Sequence, residues 1–277
     1  MLHILFYVRS NKKYSVNEAD MLNRISIVIP TLNCGKYIQT AVNSVLNQPY
    51  PDKELFVMDA GSSDDTVSIL KQYGNRIVWV SEKDKGQWHG IQKGLDRATG
   101  DIFAYLNADD WYEPDIFPEI VAAFNSDPFI ELVYGQCNII YSDRVELFKS
   151  EPTITRGMLL RLGNITSQPT TFFRAKTLRD SGGIVRAHYM MEYDMNLRAL
   201  FRGKAFYIAR PLANFLVHEG QKSGTDAYRR IEKEVACMGL RHSRNPLCPV
   251  FLSYVKKYYI LPMRNAVSRI LKLKTCA

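Results

Sequence analysis

The chain has 277 residues, 46% of them apolar, and a formal net charge of +8, which is enough for a sizeable core and excludes wholesale disorder. Cys34, Cys137, Cys237, Cys248 and Cys276 are scattered without a Cys-x-x-Cys pair, which argues against a disulfide framework or a zinc site and fits a reducing compartment. No apolar run approaches the ~20 residues of a membrane span, and the short run 2–8 is followed, not preceded, by Arg9, Lys12 and Lys13, the reverse of a secretory signal. A cytoplasmic protein, soluble or peripheral to the membrane, is expected.

Residues 1–22 show no clear period and read as an extension. From Ile25 the pattern is legible. Residues 25–29 form a β-branched run ended by Pro30, as in a strand buried on both faces. After Thr31-Leu32-Asn33-Cys34-Gly35, the residues Tyr37, Ile38, Ala41, Val42, Val45 and Leu46 fall on one helical stripe. A second strand, 55–58, ends in Asp59-Ala60-Gly61-Ser62-Ser63-Asp64, where Ser63 or Asp64 can cap the next helix. A third strand, 77–80, leads into Glu82-Lys83-Asp84-Lys85-Gly86-Gln87 and a helix through Ile91 and Leu95. The fourth, 102–106, runs into Asn107-Ala108-Asp109-Asp110. Strand and helix alternate with short connections, so the first ~110 residues predict a parallel sheet flanked by helices.

Beyond that point a helix is expected over 114–124, with Pro114 in its first position. Strands follow at 130–141 and 145–148 around a turn at Ser142-Asp143, then an extended 168–173 and a short helix ended by Gly182-Gly183. A helix opens near Glu192-Tyr193-Asp194, and a last strand pair, 205–209 and 212–217, ends at His218. From residue 221 onward, twelve Lys and Arg face three acids, leaving residues 1–220 at about −1.

Strand ends that carry polar residues beside Gly or Ser, at 30–35, 59–64 and 107–110, point to a nucleotide at the carboxyl edge of the sheet. Asp109 there suits Mg²⁺ or Mn²⁺ held between protein and phosphate; the alternative is a strand followed by an ordinary acidic turn. A Gly-x-Gly-x-x-Gly dinucleotide loop and a Gly-x-x-x-x-Gly-Lys-Ser/Thr loop are both missing, which excludes two common nucleotide-binding modes.

Ile27-Val28-Ile29-Pro30-Thr31-Leu32-Asn33, Asp59-Ala60-Gly61-Ser62-Ser63-Asp64, Asp84-Lys85-Gly86, Leu106-Asn107-Ala108-Asp109-Asp110, Gln168-Pro169 and Glu192-Tyr193-Asp194 occur in that order. The set resembles a family 2 glycosyltransferase of the GT-A fold over residues 25–224. The resemblance implies a Rossmann-like, mostly parallel central sheet flanked by helices. It divides the chain into an extension (1–22), a GT-A domain (23–224) and a basic helical C-terminal tail (225–277). It places Pro30, Thr31, Asn33, Tyr37, Asp59, Ser62, Asp84, Lys85, Gly86, Asn107 and Ala108 at the nucleotide, Asp109 and His218 at the metal, and Glu192 with Asp194 as the catalytic residues.

Three positions depart from the family pattern: Asn107 for the first acid of Asp-x-Asp, Glu192 for the usual Asp base, and His89 where Asp is common. The implied activity is inverting transfer from a nucleoside-diphosphate sugar, expected to be a UDP-sugar, to a hydroxyl of a saccharide or lipid-linked acceptor, with Mn²⁺ or Mg²⁺. The departures keep a second reading open, a catalytically lapsed nucleotide-sugar binder at a membrane surface. A sugar nucleotidyltransferase would need a Gly-rich, Arg-containing loop after the first strand, which 31–35 does not supply. In the tail, eight Lys and Arg and no acid over 235–277 are interleaved with aromatics, which fits either an anionic membrane surface or a helix packed on the domain. Pro246, Pro249 and Pro262 preclude one continuous helix. No nucleic-acid module is recognisable, so a nucleic-acid partner is not expected.

Overall fold

A computed structural model describes residues 21–222 and 227–261. The extension expected at 1–22 lies outside the described residues except at its end. There Leu22 exchanges backbone hydrogen bonds with the Asn125 amide, at 2.9 and 2.8 Å, and packs on the core, so the domain has begun by that residue. Pro262 and the basic residues after it also lie outside.

Four parallel strands organise the amino-terminal half: β1 (Ile25–Thr31), β2 (Lys53–Asp59), β3 (Val78–Ser81) and β4 (Ile102–Tyr105). They are joined by α1 (Ile38–Leu46), α2 (Thr66–Lys71) and α3 (Gln87–Arg97). β1 is buried along its whole length, and its alternation divides the core. Ile25, Ile27 and Ile29 pack with Ile38, Val42 and Val45 of α1, whereas Val28 packs with Ile91 and Leu95 of α3. β4 repeats the rule: Ile102, Ala104 and Leu106 face the α1 side, while Phe103 and Tyr105 face the other.

The second half adds β5 (Trp111–Tyr112), α4 (Phe117–Ser126), β6 (Ile130–Ile140), β7 (Val145–Phe148), α5 (Arg156–Leu162), β8 (Phe172–Arg174), α6 (Ala175–Asp180), α7 (Met191–Arg202) and β9 (Lys204–Leu216). The strand order is β3-β2-β1-β4-β8-β6-β9-β5, with β7 on β6. Pairing turns antiparallel at β4–β8 and β8–β6, and β9 runs parallel to β6. The curled mixed sheet flanked by helices is the expected α/β architecture, with its parallel half where the sequence placed it. α7 lies on the Tyr105 side, burying Met191, Tyr193, Met195 and Leu197 in the same cluster.

Several boundaries differ from expectation. α4 begins at Phe117, not Pro114, because Asp115 takes a left-handed φ of 57° and the buried Gln48 amide accepts the Ile116 N–H at 3.0 Å. The expected pair 205–209 and 212–217 is one strand, β9, whose register on β6 jumps from Gly135↔Ile208 to Gln136↔Pro211. The bulge absorbs Pro211, which has no N–H to give the ladder. Residues 168–170 form a 3₁₀ turn and only 172–174 are strand.

The tail's first part is helical and docked. α8 (Tyr228–Ser243) buries Val235, Ala236 and Met238, and α9 (Pro249–Val255) starts at Pro249 after a left-handed Arg244, φ 52°. Over α8 the packing reading holds; the lipid reading concerns the chain beyond it. Among the described residues, no helix is long and apolar enough to cross a membrane.

α3 lies so close to β1 that a Cβ on Gly94 would stand 2.5 Å from Val28 Cγ1. Val28 is fully buried and cannot swing away. Gly94→Ala is therefore expected to cost about 1–3 kcal/mol of overpacking, read as a lowered Tm in thermal unfolding.

Candidate active site

The carboxyl ends of β1, β2 and β4 carry the polar residues singled out in the sequence, and the structure gathers most of them. At the end of β2, Asp59 is fully buried. Its Oδ2 accepts the N–H groups of Gly61 and Ser62 at 3.1 and 3.0 Å and the Ser81 hydroxyl at 2.5 Å, and its Oδ1 accepts the Ser62 hydroxyl. Those donors replace its hydration, so Asp59 shapes the 59–62 loop and its oxygens are engaged within the protein. Asn33, at φ 53°, ties that loop to β1: its Oδ1 accepts the Ser63 N–H at 2.8 Å and its own N–H donates to Ser62 Oγ at 2.7 Å. Asp64 makes a second tie, accepting the Gly35 N–H at 2.9 Å and the Thr66 N–H at 3.0 Å. Of the two expected caps it is Asp64, not Ser63, that meets the start of α2. Thr31 is buried at the end of β1 and pairs in register with Asp59.

After β3, Asp84 Oδ1 accepts the Gly86 N–H at 2.8 Å, a turn that needs the φ of 113° which glycine supplies. Asp84 Oδ2 and Pro30 both come within van der Waals range of the Cβ position of Gly90, so β1 and the β3 loop converge there. Lys85 is exposed and contributes backbone: its carbonyl accepts from Trp88 Nε1 at 3.2 Å and its N–H meets His89 Nδ1 at 3.3 Å. His89 and Trp88 thus pack within this loop.

Asn107 is the hub at the end of β4. Its amide donates to Asp110 Oδ2 at 3.1 Å and Gln168 Oε1 at 3.0 Å, and accepts from Gln87 Nε2 at 2.7 Å. Gln168 in turn donates to the Tyr105 carbonyl at 2.7 Å. Two donors and an acceptor all find partners, which an aspartate at 107 could not reproduce. Ala108 is buried between this hub and Asp109. Asp110 is also buried, accepting the Leu216 N–H at 3.2 Å; burial, reinforced by the Asp109 charge, pushes its carboxyl well above the ordinary range.

Asp109 faces the end of β9, where its Oδ2 lies 3.0 Å from His218 Nε2. The His218 ring packs on Tyr37 with centroids 4.7 Å apart, and its Nδ1 is 2.8 Å from the Glu219 carbonyl. A carbonyl only accepts, so Nδ1 carries a hydrogen and Nε2 is the atom turned to the carboxylate. A bare Nε2 lone pair and a carboxylate oxygen at that distance would repel unless a proton or a cation lies between them. An imidazole oriented through Nδ1–H on a carbonyl is also how metal-binding histidines are held. Among the described residues no group of three or more His, Cys, Asp or Glu could hold a metal alone. The pair fits Mn²⁺ or Mg²⁺ only where a substrate supplies further oxygens, as a diphosphate does.

On the other side of β4, Glu192 stands in the first turn of α7, nearly buried. Its Oε2 accepts from Tyr105 Oη at 3.2 Å and its Oε1 from Asn164 Nδ2 at 3.2 Å. Burial raises its carboxyl to about 7; its own N–H and Tyr105 oppose the shift, the charge of Glu234 adds to it, and Lys222 opposes it. Through Tyr105, whose side chain holds Glu192 and whose carbonyl holds Gln168, the base-like acid and the Asn107 hub share one strand end. Asp194 differs from expectation. Its Oδ2 pairs with Arg198 Nη2 and its Oδ1 with His242 Nε2, both at 2.7 Å, so both oxygens are committed between α7 and α8. Expected as a catalytic residue, it is instead a clamp between helices.

The description Glycosyl transferase family 2 matches residues 26–190. The chain belongs to that family. It is 33% identical over 132 residues to a chondroitin synthase of Escherichia coli, a match covering 47% of this chain and 19% of that protein. It is 30% identical over 179 residues to a PGL/p-HBAD biosynthesis glycosyltransferase of Mycobacterium bovis, covering 62% of this chain and 68% of that one. The first match thus spans about a fifth of its relative's length. Among solved structures, TarS 1-349 of S. aureus in complex with UDP-GlcNAc superposes with a TM-score of 0.65 at 17% identity, covering 85% of this chain and 73% of that one. PcManGT, a mannosyltransferase of Pyrobaculum calidifontis in complex with GDP-Man and Mn²⁺, gives 0.60 at 17%, covering 85% and 70%. These likenesses give the GT-A fold.

In this family 2 glycosyltransferase the matched stretch ends at Met190, one residue before the helix that carries Glu192. Sequence reasoning did not assign Gln87, Tyr105, Asn164 or Lys222. Lys222 Nζ donates to Gln87 Oε1 at 3.0 Å and to the His188 carbonyl, and so crosses from the α3 side to the α7 side. Gln87 and Lys222 both sit in polar runs noted in the sequence; Asn164 stands between apolar segments and gives no local signal.

A carboxyl at about 7 in the fold against ~4.3 unfolded means that the folded state favours the protonated form. Stability from this group is thus full below the unfolded value and lost as pH rises through about 7. The Tm of Glu192→Gln minus that of wild type should grow more positive from about pH 5 to about pH 8, by the equivalent of a few kcal/mol at most. A difference that is flat with pH would place the Glu192 titration elsewhere.

Proposed function

We propose that this glycosyltransferase moves a sugar, with inversion, from a nucleoside-diphosphate sugar to a hydroxyl of a saccharide or lipid-linked acceptor. The observation that carries the reading is the arrangement around β4: a cation-ready Asp109–His218 pair at its end, and on its other face a buried acid at about 7. Both solved relatives cited above are bound to a nucleotide sugar, one of them with Mn²⁺. A UDP-sugar is the favoured donor.

Thr31, Asn33, Tyr37, Ser62, Asp84 and Gly86 line the strand ends where base and ribose would lie, in loops shaped by Asp59. Asn107, fixed by Gln87, Gln168 and Asp110, would orient the ribose or a phosphate oxygen. Asp109 and His218 would hold a divalent cation, which when bound neutralises charge on the leaving diphosphate. The histidine inclines the site towards Mn²⁺ over Mg²⁺. The acceptor oxygen forms its bond to the anomeric carbon as the bond to the diphosphate breaks with its electron pair. Glu192, ionised, takes the acceptor proton. A base near 7 balances availability against proton affinity at neutral pH and contributes roughly 10²–10⁴ in rate. Tyr105 and Asn164 hold it in place.

A thermal-shift screen of UDP-, dTDP- and GDP-sugars in Mn²⁺ identifies the donor, because ligand bound only to the folded state raises Tm. With that donor, Asp109→Ala and Glu192→Gln are each expected to lower turnover about 10²-fold or more. In wild type, kcat/KM should fall as pH drops below about 7. Wild-type rates in both variants would refute the assignment, and donor binding without turnover in wild type would favour a lapsed binder.

We also place the protein on the cytoplasmic face of the membrane, through the basic chain that follows α8. Removing residues 262–277, which keep four Lys and Arg and no acid, should reduce co-sedimentation with phosphatidylserine vesicles; equal pelleting would dismiss the lipid contact.

A further inference from the structure

α8 lies outside the stretch that matches the family, yet it grips the segment bearing Glu192 from both ends. On one side the Glu234 carboxylate accepts three consecutive backbone N–H groups, those of His188 and Tyr189 at 2.9 Å and of Met190 at 3.1 Å. Those residues lead directly into the first turn of α7. On the other side His242, two turns further along α8, meets Asp194 at 2.7 Å, and Arg198 closes the same carboxylate from within α7. Glu192 falls between the two grips.

We propose that Glu234 is a positioning residue for the acceptor-side base: it fixes the entry into α7, and with it the place of the Glu192 carboxylate. The inference rests on the reading of Glu192 as the base.

Backbone geometry carries the proposal. Met190, the residue before α7, has no side-chain cap, and the helix start is fixed by a carboxylate from another helix instead. Three N–H groups on one carboxylate also account for the stability of a charge at that half-buried place. The Glu192 carboxylate is met by the Tyr105 hydroxyl from β4 and the Asn164 amide from the segment after α5, so a shift of the entry into α7 moves it against both. The charges of Glu234 and Lys222 also act on its proton, in opposite directions.

The test needs no substrate in its first arm. The Glu192 carboxyl is titrated by ¹³C NMR in wild type, Glu234→Gln and Glu234→Ala. Amide exchange is followed at His188, Tyr189 and Met190 in the same three proteins. Glu234→Gln keeps an acceptor oxygen but loses the charge, so the Glu192 midpoint should move to lower pH while the fold persists. Glu234→Ala should also accelerate exchange at the three amides. In the second arm, UDP release from UDP-GlcNAc in Mn²⁺ should show kcat lowered about 10-fold or more in Glu234→Ala with the donor KM nearly unchanged, as for a misplaced reacting group.

Unchanged amide exchange in Glu234→Ala overturns the proposal. So does an unchanged Glu192 midpoint in Glu234→Gln, which is read whether or not the alanine variant folds. Glu192→Gln separates this inference from the one beneath it. If that variant abolishes turnover while both Glu234 variants behave as wild type, only the bracket fails. If it turns over as wild type does, the base assignment fails and the bracket has no catalytic meaning.

Discussion

A carboxylate withdrawn from water must be given donors, a cation or a proton, because its desolvation otherwise costs several kcal/mol. Asp59, Asp110, Glu192 and Asp194 are all buried near the carboxyl ends of the strands or the start of α7, and each is satisfied differently. Asp59 receives backbone and hydroxyl donors, Asp194 receives the Arg198 guanidinium and the His242 ring, and Asp110 is held towards its protonated form. Glu192 is left in between, with neutral donors and, among the described residues, no direct cation. The incomplete satisfaction of that one acid brings its proton affinity near neutral pH.

The two halves of the sheet divide the labour. The parallel strands β1, β2 and β4 bring three loops to one edge, and Asn33 and Asp64 stitch the first two loops together. The curled second half returns β9 to that edge, so that His218 meets Asp109 across more than a hundred residues of sequence. Two successive register shifts, at Gly135/Gln136 and Gln136/Cys137, put three extra residues into β9 around Pro211 and set the register of that return. Without that odd number, the residues after Leu216 would arrive with their side chains on the opposite face of the strand.

Much of this was legible because it is local. The β-branched run at 25–29, the loops at 59–64 and 84–87 and the change from apolar to acidic at 106–110 each announce a strand and its functional end. Asp109 could be singled out within the ordered motif set, and His218 through the family resemblance that set carries. What sequence could not show depends on partners distant in the chain. Nothing around Asp194 reveals His242, forty-eight residues on, and nothing around Glu234 reveals the three amides before α7. The start of α4 was missed because Pro114 is a common first helical residue, whereas the left-handed Asp115 and the reach of Gln48 are tertiary facts. Asn107 looked like a lost acid, and its value as an amide appears only once Gln87 and Gln168 are seen beside it.

The Glu234 bracket has a consequence for how this chain tolerates change in length. Each residue advances a helix by about 100°, so the rotational phase of α7 decides which acid points to Tyr105 and which to His242. Because Met190 is the last residue in the bracket, one residue inserted between it and Glu192 would swing both acids out of place together. The same insertion at the exposed Gly182, where nothing crowds the chain, would fall in a turn before the phase is set. A change in length is therefore borne better at that turn than in the few residues after His188.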